Sequence, residues 1–168
     1  ARMFDEAFAG PLPAAVKPHT LPEAVDHLSY ARGRLGDIAS VRFGKGFVLE
    51  PMWKPADGKG TRAGFVNVPA LVGTGAGAEM EFEFDGQGVG LFITSGPDAG
   101  RIEFQIDGGP ARTLDTSTRW SARLHLPWAV ILDDGLEPGR HRVKVRIVAG
   151  DAPTADPPAL RVFQLLLN

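Results

Sequence analysis

The run Glu79-Met80-Glu81-Phe82-Glu83-Phe84 narrows the fold more than any other stretch of this chain. A side-chain period of two sends Met80, Phe82 and Phe84 to one face and three carboxylates to the other, which describes a strand with one dry face and one wet face. A helix would scatter both sets around its circumference. Arg101–Ile106 alternates in the same way, as does His141–Ile147, where Val143, Val145 and Ile147 share one side. Val89-Gly90-Leu91-Phe92-Ile93-Thr94 is nearly continuous in apolar character and reads as a strand covered on both faces.

Punctuation between these runs points the same way. The 168 residues include 21 glycines and 14 prolines, a density that excludes a long-helix or coiled-coil protein. Asp85-Gly86-Gln87-Gly88 is expected to join Glu79–Phe84 to Val89–Thr94 as a hairpin, and Asp107-Gly108-Gly109-Pro110 to turn Arg101–Ile106 back into Ala111–Leu114. Weaker strands are expected at Ile38–Phe43, Phe47–Glu50, Gly64–Val68 and Trp128–Leu132, and Ala159–Leu167 closes the chain. The expectation is an all-β, two-sheet antiparallel sandwich of the jelly-roll type. No crossover helices are present to build a parallel α/β sheet.

The first thirty residues differ. Met3, Phe4, Ala7 and Phe8 fall on one face of a short helix over residues 2–9, which Gly10-Pro11-Leu12-Pro13 stops. Pro11, Pro13, Pro18 and Pro22 then mark a linker to Tyr30. Residues 1–30 are therefore expected to form a helix tail and a Pro-rich strap, and residues 31–168 the sandwich module. A helix this short is marginal in water and needs a partner for its apolar face.

Charge and composition remove several function classes. Eighteen basic and twenty acidic side chains leave a net charge of −2, without the basic stripe that nucleic acid or an anionic membrane demands. There is no cysteine, hence no disulfide, thiolate nucleophile or cysteine-bound zinc. The first residues lack the charged, apolar, small-residue order of a signal peptide, and no apolar run is long enough to span a bilayer.

Catalytic templates are also missing. None of Ser29, Ser40, Ser95, Ser117 and Ser121 has glycine two positions earlier, so no Gly-x-Ser elbow is present. The four histidines show no metal-ligand spacing. Asp133-Asp134 and Asp151 to Asp156 are the only acidic clusters dense enough for calcium, and neither follows the Asp-x-Asp-x-Asp-Gly order. No cofactor, no metal site and no catalytic residue is expected, and the chain by itself does not read as an enzyme.

Glu83-Phe84-Asp85-Gly86-Gln87-Gly88-Val89-Gly90-Leu91-Phe92, followed by Gly96-Pro97-Asp98-Ala99-Gly100 and Ile102-Glu103-Phe104-Gln105-Ile106-Asp107-Gly108, resembles the jelly-roll accessory module found beside SGNH/GDSL-type hydrolases. Trp120–Pro127, Asp133–His141 and Arg161–Asn168 fit the same module, and the resemblance covers about residues 28–168. It implies a carbohydrate ligand, export from the cytoplasm, and a hydrolase catalytic domain N-terminal to this chain whose last helix is Met3–Phe8. That family's Gly-Asp-Ser and Asp-x-x-His blocks are absent: three residues before the histidines stand Val16, Ala24, Ala122 and Pro138. What remains is the module without its catalytic domain.

Sugars are held by aromatic faces and by groups that hydrogen-bond hydroxyls. Trp120-Ser121-Ala122-Arg123-Leu124-His125-Leu126-Pro127-Trp128 offers two indoles, a guanidinium and an imidazole. If extended, it sets Trp120 and Trp128 on one face and Arg123 and His125 on the other. Both tryptophans read first as core or interface residues, since Trp is highly buried on average. Asp98 suits either a ligand contact or its own turn, and Asp107 suits turn chemistry. His125 has no acidic neighbour in sequence to make it a base. Trp53 is a third stacking candidate that would equally plug one end of the sandwich. The candidate binding set is Trp120, Arg123, His125, Trp128, Asp98 and Trp53, in a recognition module or in a structural module that packs on a hydrolase and completes its cleft.

Overall fold

A computed structural model describes residues 2–11, 15, 18, 20, 22, 25–26, 29–149 and 157–168. In chain order they form helix α1 (Arg2–Phe8) and the strands β1 (Arg34–Gly36), β2 (Arg42–Phe43), β3 (Phe47–Trp53), β4 (Val68–Thr74), β5 (Glu79–Gly86), β6 (Val89–Ser95), β7 (Arg101–Ile106), β8 (Arg112–Asp115), β9 (Leu126–Asp133), β10 (Gly139–Val148) and β11 (Ala159–Leu167). One sheet runs β3-β4-β11-β6-β9 with β1 added on β11, the other β2-β5-β10-β7-β8, and every strand pair is antiparallel. From β4 to β11 the chain crosses between the sheets at every link except the β7–β8 hairpin, in the order of an eight-stranded jelly roll, with β1, β2 and β3 as additions.

Alternation explains the core. Met80, Phe82 and Phe84 of β5, Val143, Val145 and Ile147 of β10, and Leu91 and Ile93 of β6 all point between the sheets and are buried. On the outer face of the β2–β8 sheet the glutamates of β5 meet the bases of β10: Arg140 and Arg142 donate to Glu83, and Lys144 lies 3.6 Å from Glu81. Hydrogen bonds from Arg142 and then Arg140 hold the Glu83 carboxyl below its ordinary pKa.

Four sequence expectations are corrected. Glu79–Phe84 and Val89–Thr94 do not form a hairpin: β5 pairs with β10 and β2, whereas β6 lies in the other sheet between β11 and β9. Gly86–Gly88 is the corner between sheets, where the Gln87 and Gly88 amides donate to the Asn168 carbonyl and a Cβ on Gly86 would strike it. Gly64–Val68 is not a strand; Ala63–Phe65 is a 3-10 turn and the strand starts at Val68. Ile38–Phe43 divides into a 3-10 turn, Ile38–Ser40, capped by Asp37, and the short β2. Trp120–Trp128 is not extended as a whole: residues before His125 turn, and only Leu126 onward joins β9.

The expected β7–β8 hairpin is present, with Asp107 and Gly108 both at positive φ in its turn. Helix α1 buries none of its residues, and Met3, Phe4 and Phe8 are exposed. Much of the Pro-rich strap, including Pro13, His19 and His27, and the acidic pair Asp151 and Asp156 lie outside the described residues.

A second apolar cluster sits on the outer face of the β3–β9 sheet: Trp53, Ala70, Val72 and Phe163, with Phe65, Val68 and Phe92 against them. A register shift in β11 opposite β6 skips Phe163, which joins this cluster beside Phe92. Residues 54–67 lie over it, tied by the Asn67 amide to the Trp53 carbonyl.

Candidate functional site

The sequence candidates separate into two places. Beneath residues 54–67 the structure gathers Trp53, His125 and Asp98, and at the free edge of the β3–β9 sheet it gathers Trp120 and Trp128.

The first group is buried. Trp53 is 3% exposed, its ring packed edge-on against Phe163 and His125, with the Arg161 guanidinium 5.8 Å from its centroid. It has no open face for a sugar to stack on. His125 is 2% exposed and gains the acidic partner that its sequence neighbours lack, because Nε2 lies 3.1 Å from each carboxylate oxygen of Asp57. Facing a carboxylate, Nε2 carries the proton and donates. Burial pushes the Asp57 carboxyl up, but the Lys59 amide, His125 and the Lys59 ammonium together hold it below its ordinary value. The His125 amide also donates to the Gly60 carbonyl, so residue 125 pins residues 57–60 at two points.

Asp98 is neither free nor only a turn residue. Arg161 grips it with both terminal nitrogens, at 2.8 and 2.6 Å, the forked geometry that suits guanidinium and carboxylate. Burial raises the Asp98 carboxyl; Arg161 outweighs it and the pKa falls. Gly96 separates this pair from His125: a Cβ there would lie 2.9 Å from Asp98 Oδ1, 2.7 Å from His125 Cε1 and closer still to Nδ1. Asp57, His125, Asp98 and Arg161 thus form one polar group beside Trp53 of the outer cluster, placed to hold residues 54–62 on the sheet.

The second group is open. Trp128 lies opposite Ile93 in register, near the start of the edge strand β9, and is 39% exposed, whereas Val130 and Leu132 further along that strand are buried. Trp120, in the turn before β9, is 51% exposed, and its ring centroid lies 6.0 Å from that of Trp128 with the planes at 44°. The turn is built by Thr118 and Ser121: the Ser121 hydroxyl donates to the Thr118 carbonyl and accepts from the Thr118 amide, while Thr118 Oγ1 accepts from the amides of Trp120 and Ser121. Ser121 is buried, so the turn is anchored and Trp120 is carried on a fixed base.

Arg123 is exposed in the same turn, but the guanidinium that stacks on the Trp120 indole is Arg119's, with Cζ 4.2 Å from the ring centroid. Asp57 and Arg119 were not among the candidates named from the sequence. Asp57 stands in an Ala-Asp-Gly turn sequence like many others, whereas the adjacency of Arg119 to Trp120 was an available signal.

No protein-family model matches the chain, and no curated protein does. Solved structures match. A two-domain esterase active on acetylated mannans aligns over 99% of this chain and 44% of its own, with a TM-score of 0.63 at 14% identity. The same esterase co-crystallised with mannopentaose gives 0.58 at 13%, over 99% of this chain and 42% of its own. The fold resembles a module of carbohydrate-active enzymes. An exo-β-1,3-galactanase from Phanerochaete chrysosporium aligns over 80% of this chain and 29% of its own, with a TM-score of 0.50 at 16% identity. The chain spans less than half the length of these proteins.

Asp133 and Asp134 both have protein partners. Asp133 pairs with Arg112 at 2.8 Å and accepts from the Gly135 amide, and Asp134 accepts from the Tyr30 hydroxyl. Among the described residues no cluster of three or more metal-ligating side chains occurs, and no described helix is long and apolar enough to cross a membrane.

Proposed function

We propose that the chain is a non-catalytic carbohydrate-recognition module, residues 31–168, exported and attached through residues 1–30 to an SGNH/GDSL-type hydrolase. The observation that carries this reading is the Trp120–Trp128 pair, two large indoles left open side by side at a sandwich edge on an anchored turn. Exposed indoles lose apolar burial that the fold has available elsewhere, and a sugar's apolar ring face recovers it. His125 supports a holding role in place of a catalytic one, since its ring is sealed from solvent and bonded to Asp57. The test is affinity electrophoresis of the whole chain in soluble acetylated mannan and β-1,3-galactan. Retardation that disappears in Trp120→Ala and Trp128→Ala, with the thermal midpoint unchanged, is the expected result. Failure to bind either polymer or any glycan on an array would overturn it.

A second reading, a structural module that packs on a hydrolase domain and completes its cleft, is favoured by one observation. Met3, Phe4 and Phe8 of α1 are exposed together, and Phe4 and Phe8 stack at 6.5 Å. Co-purification with a hydrolase domain, lost on Phe4→Ser/Phe8→Ser, would select that reading.

A further inference from the structure

Resting on the recognition reading, the geometry of the tryptophan pair goes on to restrict which form of polysaccharide it accepts. The face of a crystalline polysaccharide is flat, and stacking on it requires aromatic rings in one plane. Trp120 and Trp128 meet at 44° with centroids 6.0 Å apart, so they touch along an inclined seam and present no common plane. Arg119 closes one face of Trp120 as well, its Cζ only 4.2 Å from the ring centre. Each indole therefore offers a sugar a surface inclined to its neighbour's.

Arg112 and Arg161 also lie over aromatic rings, but each is bonded to a carboxylate, whereas Arg119 stacks on the Trp120 indole with no carboxylate of the described residues bonded to it. A guanidinium stacked on a ring keeps its N–H donors at its rim, free for acceptors that arrive beside the indole. Sugar hydroxyls are such acceptors.

We propose that the Trp120–Trp128 site takes a single, flexible glycan chain whose neighbouring rings are turned relative to one another, and not a crystalline surface. Arg119 is its specificity-setting polar arm. One ring stacks on the open face of Trp120 and the next on Trp128, while Arg119 donates to hydroxyls of the sugar on Trp120.

The experiment compares depletion of the whole chain by microcrystalline cellulose and by crystalline mannan with titration calorimetry on soluble acetylated mannan and β-1,3-galactan. The expected result is binding to a soluble chain and no depletion by the crystalline solids, with Arg119→Gln weakening soluble binding roughly tenfold, the loss of a hydrogen bond from a charged donor. Depletion by a crystalline solid at equal or higher affinity would overturn the proposal and leave the recognition reading standing. Soluble binding unchanged by Arg119→Gln would overturn the part given to Arg119. Absence of binding to every probe would overturn the recognition reading and this proposal with it.

Discussion

His141 shows how one residue sets a pH dependence. Its Nδ1 lies 2.7 Å from the Asp107 carboxylate in the β7–β8 turn, and its Nε2 lies 2.8 Å from the Glu137 carbonyl before β10. Two acceptors facing two ring nitrogens require both nitrogens to donate, so the ring is held as the imidazolium. The hydrogen bond to Asp107 raises the His141 pKa above 6.5 against the opposing effect of burial, and His141 and the Arg142 amide lower that of Asp107 below 3.8. A raised histidine contributes stability that is fully present below pH 6.5 and is lost as pH rises through its folded value. A lowered aspartate contributes stability above pH 3.8 that is lost as pH falls through its folded value. His141→Ala should therefore destabilise most between those limits, and the gap to the parent should close on the alkaline side in urea titrations from pH 4 to 9. Gly96→Ala is the second prediction at this scale. The new methyl forces the His125 ring aside, so a loss of about 1–3 kcal/mol is expected together with a shift of the His125 ring resonances. Unmoved resonances would show that the methyl is accommodated without displacing the ring.

At the scale of elements, the strands were legible and their partners were not. The alternation of Glu79–Phe84 and of His141–Ile147 marked the buried faces of β5 and β10 correctly, because the side-chain period is local. The pairing of β5 with β10 depends on chain paths that no local pattern encodes, and a short Gly-rich link serves a sheet-to-sheet corner as well as a hairpin. The missed strand Val68–Thr74 carries Pro69 and Gly73, residues that weaken strand signals, yet β3 and β11 flank it in the sheet. The short helix was legible in the same local way. Since α1 buries nothing in the described structure, deleting residues 1–10 should move the thermal midpoint by less than about 2 °C, whereas a surface mutation that touched a real contact would exceed that. The segment 54–62 behaves oppositely: Asp57→Asn removes the charge that His125 faces, and its amides from Gly58 to Thr61 should lose hydrogen-exchange protection while the β-strands keep theirs.

For the whole molecule, the inter-sheet core decides stability and the outer clusters decide what the surface offers. Leu91 is fully buried at the centre of that core, and Leu91→Ala should cost about 2–5 kcal/mol in equilibrium unfolding. Candidate sites were only partly legible. Trp120 and Trp128 could be named from the sequence because large aromatics in a short segment are visible there. Their exposure was not visible, since it follows from where the turn before β9 and the start of that strand lie in the folded sandwich. The pairs Asp57–His125 and Asp98–Arg161 join residues 68 and 63 positions apart, brought together only when residues 54–67 and β11 pack on the same sheet. The sequence by itself determined the all-β class, the faces of the strongly alternating strands and the absence of a Gly-x-Ser elbow, since periodicity and composition act along the chain. Only the tertiary structure decided which strands pair, which tryptophans are sealed and which stay open, and which arginine stands beside them. Those outcomes depend on contacts between distant segments, whose free energy exists only once the two sheets have closed on one another.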